Sequence, residues 1–241
     1  MPKDKLFKKK QRLVSDFNFG KRTAEAFDDM VDRSVPFYAE VQRMIGEIAA
    51  EFAVDGTNLY DLGCSTGTTF LALDPMVSAG VRFVGFDSSA EMLQRAKEKL
   101  AKARLTHEHE LIQADLNQGI QMTNASVVIL NLTLQFVRPL YRQQLIRSIA
   151  GGMREQGCLI IVEKVLPKAS MLNRLFIKYY YAFKQRQGYS ELEIAQKREA
   201  LENVLVPYRL EENMELLTSN GFSQCDVFFK WYNFCGLIAL K

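Results

Sequence analysis

Four apolar runs of this chain end in residues able to hold a polar ligand. The first, NLYDLG, enters the turn YDLGCSTG (Tyr60–Gly67), where Gly63 and Gly67 let the backbone approach a bound group more closely than side chains would allow. The second, VRFVGFD, ends on Asp87, placed where a carboxylate accepts both hydroxyls of a ribose. IQADLN supplies Asp115 as a partner for an adenine amino group, with Leu116 beside it as an apolar wall. ILNLTLQF supplies Asn131, an amide near a cofactor's amino-acid end. Taken singly, each residue has another use. Asp115 and Asn131 suit turns, and Asp87, Ser88 or Ser89 suits the cap of the helix SAEMLQRA. In order along one edge they describe a dinucleotide or adenosyl site.

Such strand ends need a sheet to align them. NLYDLG, VRFVGFD, HELIQAD, ASVVILN and GCLIIVEK read as strands, and SAEMLQRAKEKLAKA and PLYRQQLIRSIAGGM have helical spacing between the later ones. This βαβ alternation predicts an α/β fold with a parallel sheet covered by helices. After the helix EENMELLTSNGF, the run CDVFFKWYNFCGLIALK is two strands close enough to pair as an antiparallel hairpin. A mostly parallel, seven-stranded Rossmann-like sheet closed by such a hairpin is the class I methyltransferase plan. Ser65, standing where the G-x-G-x-x-G fingerprint has its second glycine, and the terminal hairpin both favour an adenosyl sulfonium cofactor over a nicotinamide.

Two helical segments exceed that plan, at residues 17–52 and 166–206, and both are expected to cap the ligand-binding edge of one domain spanning residues 1–241. In the second, Ser190 and Glu193 have the spacing of a capping box. Further along, Arg198 shares a helical stripe with Ile194, Leu201 and Leu205. An inward guanidinium there requires an anion, either Glu202 one turn on or a ligand carboxylate. The segment MLNRLFIKYYYAF carries more large apolar side chains than one face of a cap uses, which suggests a subunit interface.

The 241 residues carry a net charge of only +3, so nothing global demands a nucleic-acid or membrane partner. The tail with Lys8, Lys9, Lys10 and Arg12 reads as a solvated arm. No apolar run is long enough for a membrane span or a signal peptide, and the expected location is the cytoplasm. Cys64, Cys158, Cys225 and Cys235 are scattered, and the His107–His109 pair lies in a charged stretch read as solvated, so no metal site is expected.

Through RSVPFYAEV, YDLGCSTG, NASVVILNLTLQF, GYSELEIAQKREALENV and the final WYNFCGLIALK, nearly end to end, the chain resembles the carboxy-S-adenosyl-L-methionine synthase family. The resemblance implies a synthase that takes S-adenosyl-L-methionine and prephenate and releases carboxy-S-adenosyl-L-methionine and phenylpyruvate. The sulfonium acidifies its methyl group, the resulting carbanion captures the carbon dioxide lost from prephenate, and the departing hydroxyl of prephenate serves as base. A separate tRNA carboxymethyltransferase then uses the product at the wobble uridine, so direct nucleic-acid binding is not expected. A homodimer is implied as well. Residue by residue, the resemblance puts Tyr38, Gly63, Cys64, Ser65, Asp87, Ser88, Asp115, Leu116, Asn131 and Arg198 on ligand-contacting positions. Tyr38 and Arg198 together would receive the carboxylate that distinguishes product from S-adenosyl-L-methionine.

The chain departs from the family pattern at Thr66, Thr68 and Thr69, where apolar or small residues are usual, and at Tyr180 and Tyr181, where histidines are familiar. VEKVLPKA also differs from the usual serine-led stretch. Two other functions share the same cofactor: a methyltransferase acting on tRNA or a small acid, and a non-catalytic S-adenosyl-L-methionine-binding regulator. Bound ligand heavier by a carboxyl group would single out the synthase.

Overall fold

The structure, a computed structural model, describes residues 3–241. Its strands are β1 (Asn58–Leu62), β2 (Arg82–Asp87), β3 (His109–Gln113), β4 (Ala125–Asn131), β5 (Met153–Leu166), β6 (Tyr208–Arg209), β7 (Gln224–Trp231) and β8 (Phe234–Leu240). The helices are α1 (Lys21–Ser34), α2 (Tyr38–Phe52), α3 (Thr68–Leu73), α4 (Ala90–Ala103), α5 (Pro139–Gly152), α6 (Ser170–Arg186), α7 (Glu191–Leu201) and α8 (Leu210–Thr218).

Alternation decides which way each strand faces. Leu59, Phe83, Val127, Ile129 and Ile160 turn to one side of the sheet and meet Val41 and Ile45 of α2 and Phe70 and Leu73 of α3. Leu62, Phe86, Val128, Leu130 and Ile161 turn to the other, against Leu145 and Ile149 of α5 and Leu217 of α8. A strand covered on both faces reads as a continuous apolar run, and β4 is buried along nearly its whole length. Truncating Ile129 or Leu130 to alanine would cost about 2–5 kcal/mol, because close-packed neighbours cannot fill the void.

The strands run in the order β3-β2-β1-β4-β5-β8-β7, with two-residue β6 beside the end of β5. Pairing is parallel from β3 to β5 and antiparallel from β5 through β8 to β7. The strand order therefore reverses between β1 and β4. A crevice opens there at the carboxyl ends of the strands, the general ligand site of open α/β sheets.

The N-terminal cap differs from the expected helical segment. Helix begins only at Lys21, and residues 3–20 form a non-helical strap that crosses to α7. The Phe17 N–H donates to the Ala200 carbonyl at 2.8 Å, the Gln11 N–H donates to Gln196 Oε1, and the Gln196 amide donates to the Phe7 and Lys9 carbonyls. Leu6, Phe7, Val14, Phe17 and Phe19 bury apolar surface with Met30, Ala200 and Leu201. The basic tail is thus docked instead of forming a solvated arm, although Lys8, Lys9, Lys10 and Arg12 keep their charges in water. The reason lies between the lysines, in apolar residues with a complementary groove.

The histidine pair is corrected similarly. His109 is exposed, but His107 is buried, stacked on Phe83 at 4.1 Å between ring centroids, with Nδ1 2.7 Å from Asp74 Oδ1.

Candidate functional site

The reversal of strand order brings the four strand ends to one pocket. Gly63, Cys64, Ser65, Asp87, Ser88, Asp115, Leu116 and Asn131 all line it, as does Tyr38 from the start of α2. Gly63 has φ +84°, and a Cβ there would collide with Thr133, so the glycine keeps a cradle open between β1 and β4. The N–H groups of Gly63 and Cys64 both donate to the Phe86 carbonyl, at 2.7 and 2.9 Å, tying the turn to the end of β2.

Asp87 braces the same turn. Its Oδ2 accepts the Ser65 N–H and its Oδ1 accepts the Ser89 N–H, each at 2.9 Å. Burial pushes the Asp87 carboxyl above its usual range, against the pull of those N–H groups. The N-cap of α4 is Ser89, whose hydroxyl accepts the Met92 N–H. Asp87 is thereby released from capping and left facing the pocket. Asp115 does form a turn, its Oδ1 accepting the N–H and side-chain amide of Asn117, while it also lines the pocket.

The polar atoms left over identify what this end of the pocket lacks. Asn131 Oδ1, in the lining, and both oxygens of Asp61, outside the lining two residues before Gly63, are buried without a hydrogen-bond partner among the described residues. Burial pushes the Asp61 carboxyl up to about 7, opposed by the Thr69 hydroxyl and reinforced by the charge of Asp87. Buried acceptors without donors are costly, and a ligand ammonium would relieve that cost. Together with the Gly63 cradle and the Leu116 wall, they fit an adenosyl group bearing an amino acid.

A methyltransferase-domain family model matches residues 59–157, the segment from β1 into β5. Over its full length the chain is 57% identical to the carboxy-S-adenosyl-L-methionine synthase of Methylococcus capsulatus, with 100% of both chains covered. It is 43% identical to the synthase of the same name from Sulfurimonas denitrificans, over 99% of each chain. The chain belongs to the carboxy-S-adenosyl-L-methionine synthase family. Two solved structures share its fold at low identity. Human N-acetylserotonin methyltransferase in complex with S-adenosylmethionine has a TM-score of 0.60 at 15% identity, covering 91% of this chain and 55% of that one. The YcgJ protein of Bacillus subtilis has a TM-score of 0.60 at 14% identity, covering 80% and 72%. This member of the synthase family is thus a transferase on the class I methyltransferase plan.

The threonines that depart from the family pattern have structural partners here. Thr66 Oγ1 donates to Asp28 Oδ1 at 2.6 Å, and Lys99 Nζ donates to Asp28 Oδ2 at 2.8 Å and to Thr68 Oγ1 at 2.7 Å. α1 is thereby bolted to the cofactor turn and to α4. Thr69 Oγ1 accepts from Gln42, whose amide also donates to the Tyr38 hydroxyl at 2.9 Å. Tyr180 is buried, lines the pocket and donates to the Ser34 carbonyl at 3.0 Å.

Arg198 does not face its own pocket. It is exposed, lies outside the lining and makes no ion pair with Glu202 or any other carboxylate among the described residues. The inward face of α7 carries Glu193, Ile194, Gln196, Lys197 and Ala200, and it docks on the strap and on α1 through both polar and apolar groups. The apolar stripe itself holds, with Ile194 buried and Leu201 and Leu205 lining the pocket, and Arg198 alone falls off it. The residue turned inward is Lys197, one position earlier and about 100° around the axis.

Sequence reasoning also missed Asp61, Lys164 and the aromatic cover of Phe17 and Phe19. Lys164 was findable, since it ends the apolar run GCLIIVEK at the same sheet edge as Asp87, Asp115 and Asn131.

Proposed function

We propose that the chain synthesises carboxy-S-adenosyl-L-methionine from S-adenosyl-L-methionine and prephenate, releasing phenylpyruvate. The product then supplies a carboxymethyl group for the tRNA wobble uridine. The observation that carries the reading is end-to-end identity with proteins named as this synthase. S-adenosyl-L-methionine supplies a sulfonium that acidifies its own methyl group. The chain's contribution is to hold two small molecules together and keep water out. Asp87 takes the ribose hydroxyls, Asp115 and Leu116 take the adenine, and Asn131 and Asp61 take the amino-acid ammonium. Ser65, Ser88, Cys64 and Gly63 shape the turn around them. Tyr38, its hydroxyl oriented by Gln42, meets the reacting end.

The same reading assigns Arg198 to the pocket of a second copy, where its guanidinium would receive the new carboxylate in a planar fork. Support for a dimer comes from the apolar surface of α6 and its surroundings, where Met171 is 73% exposed and Leu172, Leu166, Tyr179 and Tyr232 are exposed as well. No helix of the described residues is long and apolar enough to cross a membrane.

Purified protein given S-adenosyl-L-methionine and prephenate, with no RNA present, is expected to form the carboxylated cofactor and phenylpyruvate by mass spectrometry. Methyl transfer to tRNA from plain S-adenosyl-L-methionine, without carboxylated product, would replace this reading with that of a methyltransferase.

A further inference from the structure

The pocket is electrically divided. Its adenosyl end gathers the carboxylates of Asp87 and Asp115, with Asp61 behind them, while two lysines, Lys164 from the end of β5 and Lys197 from α7, line it beside Tyr180 and Phe234. Lys164 Nζ lies 4.7 Å from the centroid of the Tyr180 ring and 5.6 Å from that of Phe234. The ammonium makes no hydrogen bond or ion pair among the described residues, although the Lys164 backbone N–H donates to Gln135 Oε1 at 3.0 Å. Its neighbour Glu163 is no partner, since alternation along β5 sends that carboxylate toward Arg142.

Lys197 is only 7% exposed and donates to Ser34 Oγ at 3.1 Å, with Asp4 Oδ2 at 4.0 Å as its one ion pair among the described residues. Asp4 is already shared with the Tyr189 hydroxyl at 2.7 Å. Aromatic faces compensate a desolvated ammonium only in part, and one shared carboxylate does not match two cations. Burial, with the charge of Lys197 added, brings Lys164 down to about 8. Among the described residues the only carboxylates lining the pocket are Asp87 and Asp115, at the other end, so the wall carrying the two lysines lacks an anion.

Building on the function proposed above, we infer that Lys164, with Lys197 behind it, forms the carboxylate-binding subsite for the carboxyl donor, a dianionic dicarboxylic acid. The acidic end then takes the cationic cofactor, the basic end takes the dianion, and each rejects the other's ligand. Attraction of both ligands to one pocket follows without any charged group having to move.

The test uses full-length protein carrying Lys164→Met, Lys164→Arg or Lys197→Met. Calorimetry measures the affinity of S-adenosyl-L-methionine and, on the loaded protein, of prephenate and of malonate, and steady-state assays give KM for each substrate. Lys164→Met is expected to weaken prephenate binding by about thirtyfold or more, the size for removing one partner of a buried charge pair. Affinity for S-adenosyl-L-methionine should stay within about threefold, which also certifies folding. Lys164→Arg should recover part of the loss, and Lys197→Met should show a smaller one. Prephenate affinity unchanged in Lys164→Met overturns the subsite, even if wild type turns prephenate over. Wild type that binds either dianion without carboxylating the cofactor, and loses that binding in Lys164→Met, overturns the proposed reaction but supports the subsite. Wild type that binds neither dianion overturns the subsite.

Discussion

The Asp87 carboxylate accepts the Ser65 N–H at 2.9 Å, joining the end of β2 to the tip of the turn that follows β1. One side chain therefore shapes the cradle and, in the proposed complex, holds the ribose. Asp87→Ala is expected to reduce S-adenosyl-L-methionine affinity about a hundredfold, since each charge-assisted bond contributes about 1.5–3 kcal/mol. The helix that follows should survive, because Ser89 caps it. Calorimetry paired with far-UV circular dichroism checks both halves. Undiminished affinity would reduce Asp87 to a brace.

Ser65 has φ +48°, a left-handed conformation that costs a side-chain-bearing residue about 1–2 kcal/mol. Ser65→Gly should therefore leave the denaturation midpoint level or raised, whereas Ser65→Ile should lower stability by at least about 1 kcal/mol. Urea titration of the three proteins side by side decides it. An isoleucine variant as stable as the parent would show that the turn relaxes freely.

The Asp28–Lys99 pair, with Thr66 and Thr68, clamps α1 against the cofactor turn. A double-mutant cycle of Asp28→Asn and Lys99→Met is expected to give a coupling of about 1 kcal/mol, as both groups are only partly shielded. Either single change should also speed amide hydrogen exchange in α1. Exchange unaltered there would mean that α1 is held by its apolar contacts alone.

Lys184 gives the fold a pH dependence. It is 4% exposed, and burial, aided by the charges of Lys197 and Lys164 and opposed by Asp4 and Glu193, brings its amine down to about 6. Between about pH 6 and pH 10 the unfolded chain holds a proton at this site that the folded chain lacks, so this group makes stability rise with pH. Lys184→Met removes the deprotonation cost and should stabilise the protein at pH 7 by on the order of 2–4 kcal/mol. That gain should shrink toward pH 10. A constant gain across the range would point to packing as its source.

Wherever periodicity reported a buried face, the fold was legible: the strands other than the two-residue β6, together with α4, α5, α8 and the hairpin of β7 and β8, fall where apolar spacing places them. The pocket edge was legible too, because Asp87, Asp115 and Asn131, which line it, each end an apolar run. Arg198 and the N-terminal strap were not. In both places the orientation is set by contacts that meet across the chain, such as Gln11 with Gln196, Ser34 with Lys197, and Phe17 with Ala200. Local spacing carries no record of such partners. His107 was misjudged for the same reason, its acceptor Asp74 lying 33 positions away.

The strap has a consequence for how the protein is born. Asp4 meets Tyr189 and Gln11 meets Gln196, each pair 185 positions apart. A ribosome delivers Leu6, Phe7, Phe17 and Phe19 long before α7 exists to receive them, and closing so large a loop loses chain entropy before any contact rewards it. The strap is consequently seated only after α7 has been made. Its aromatic side chains lack their groove until Ala200 and Leu201 exist to complete it, so the nascent chain gains the Phe17 and Phe19 cover of its pocket late.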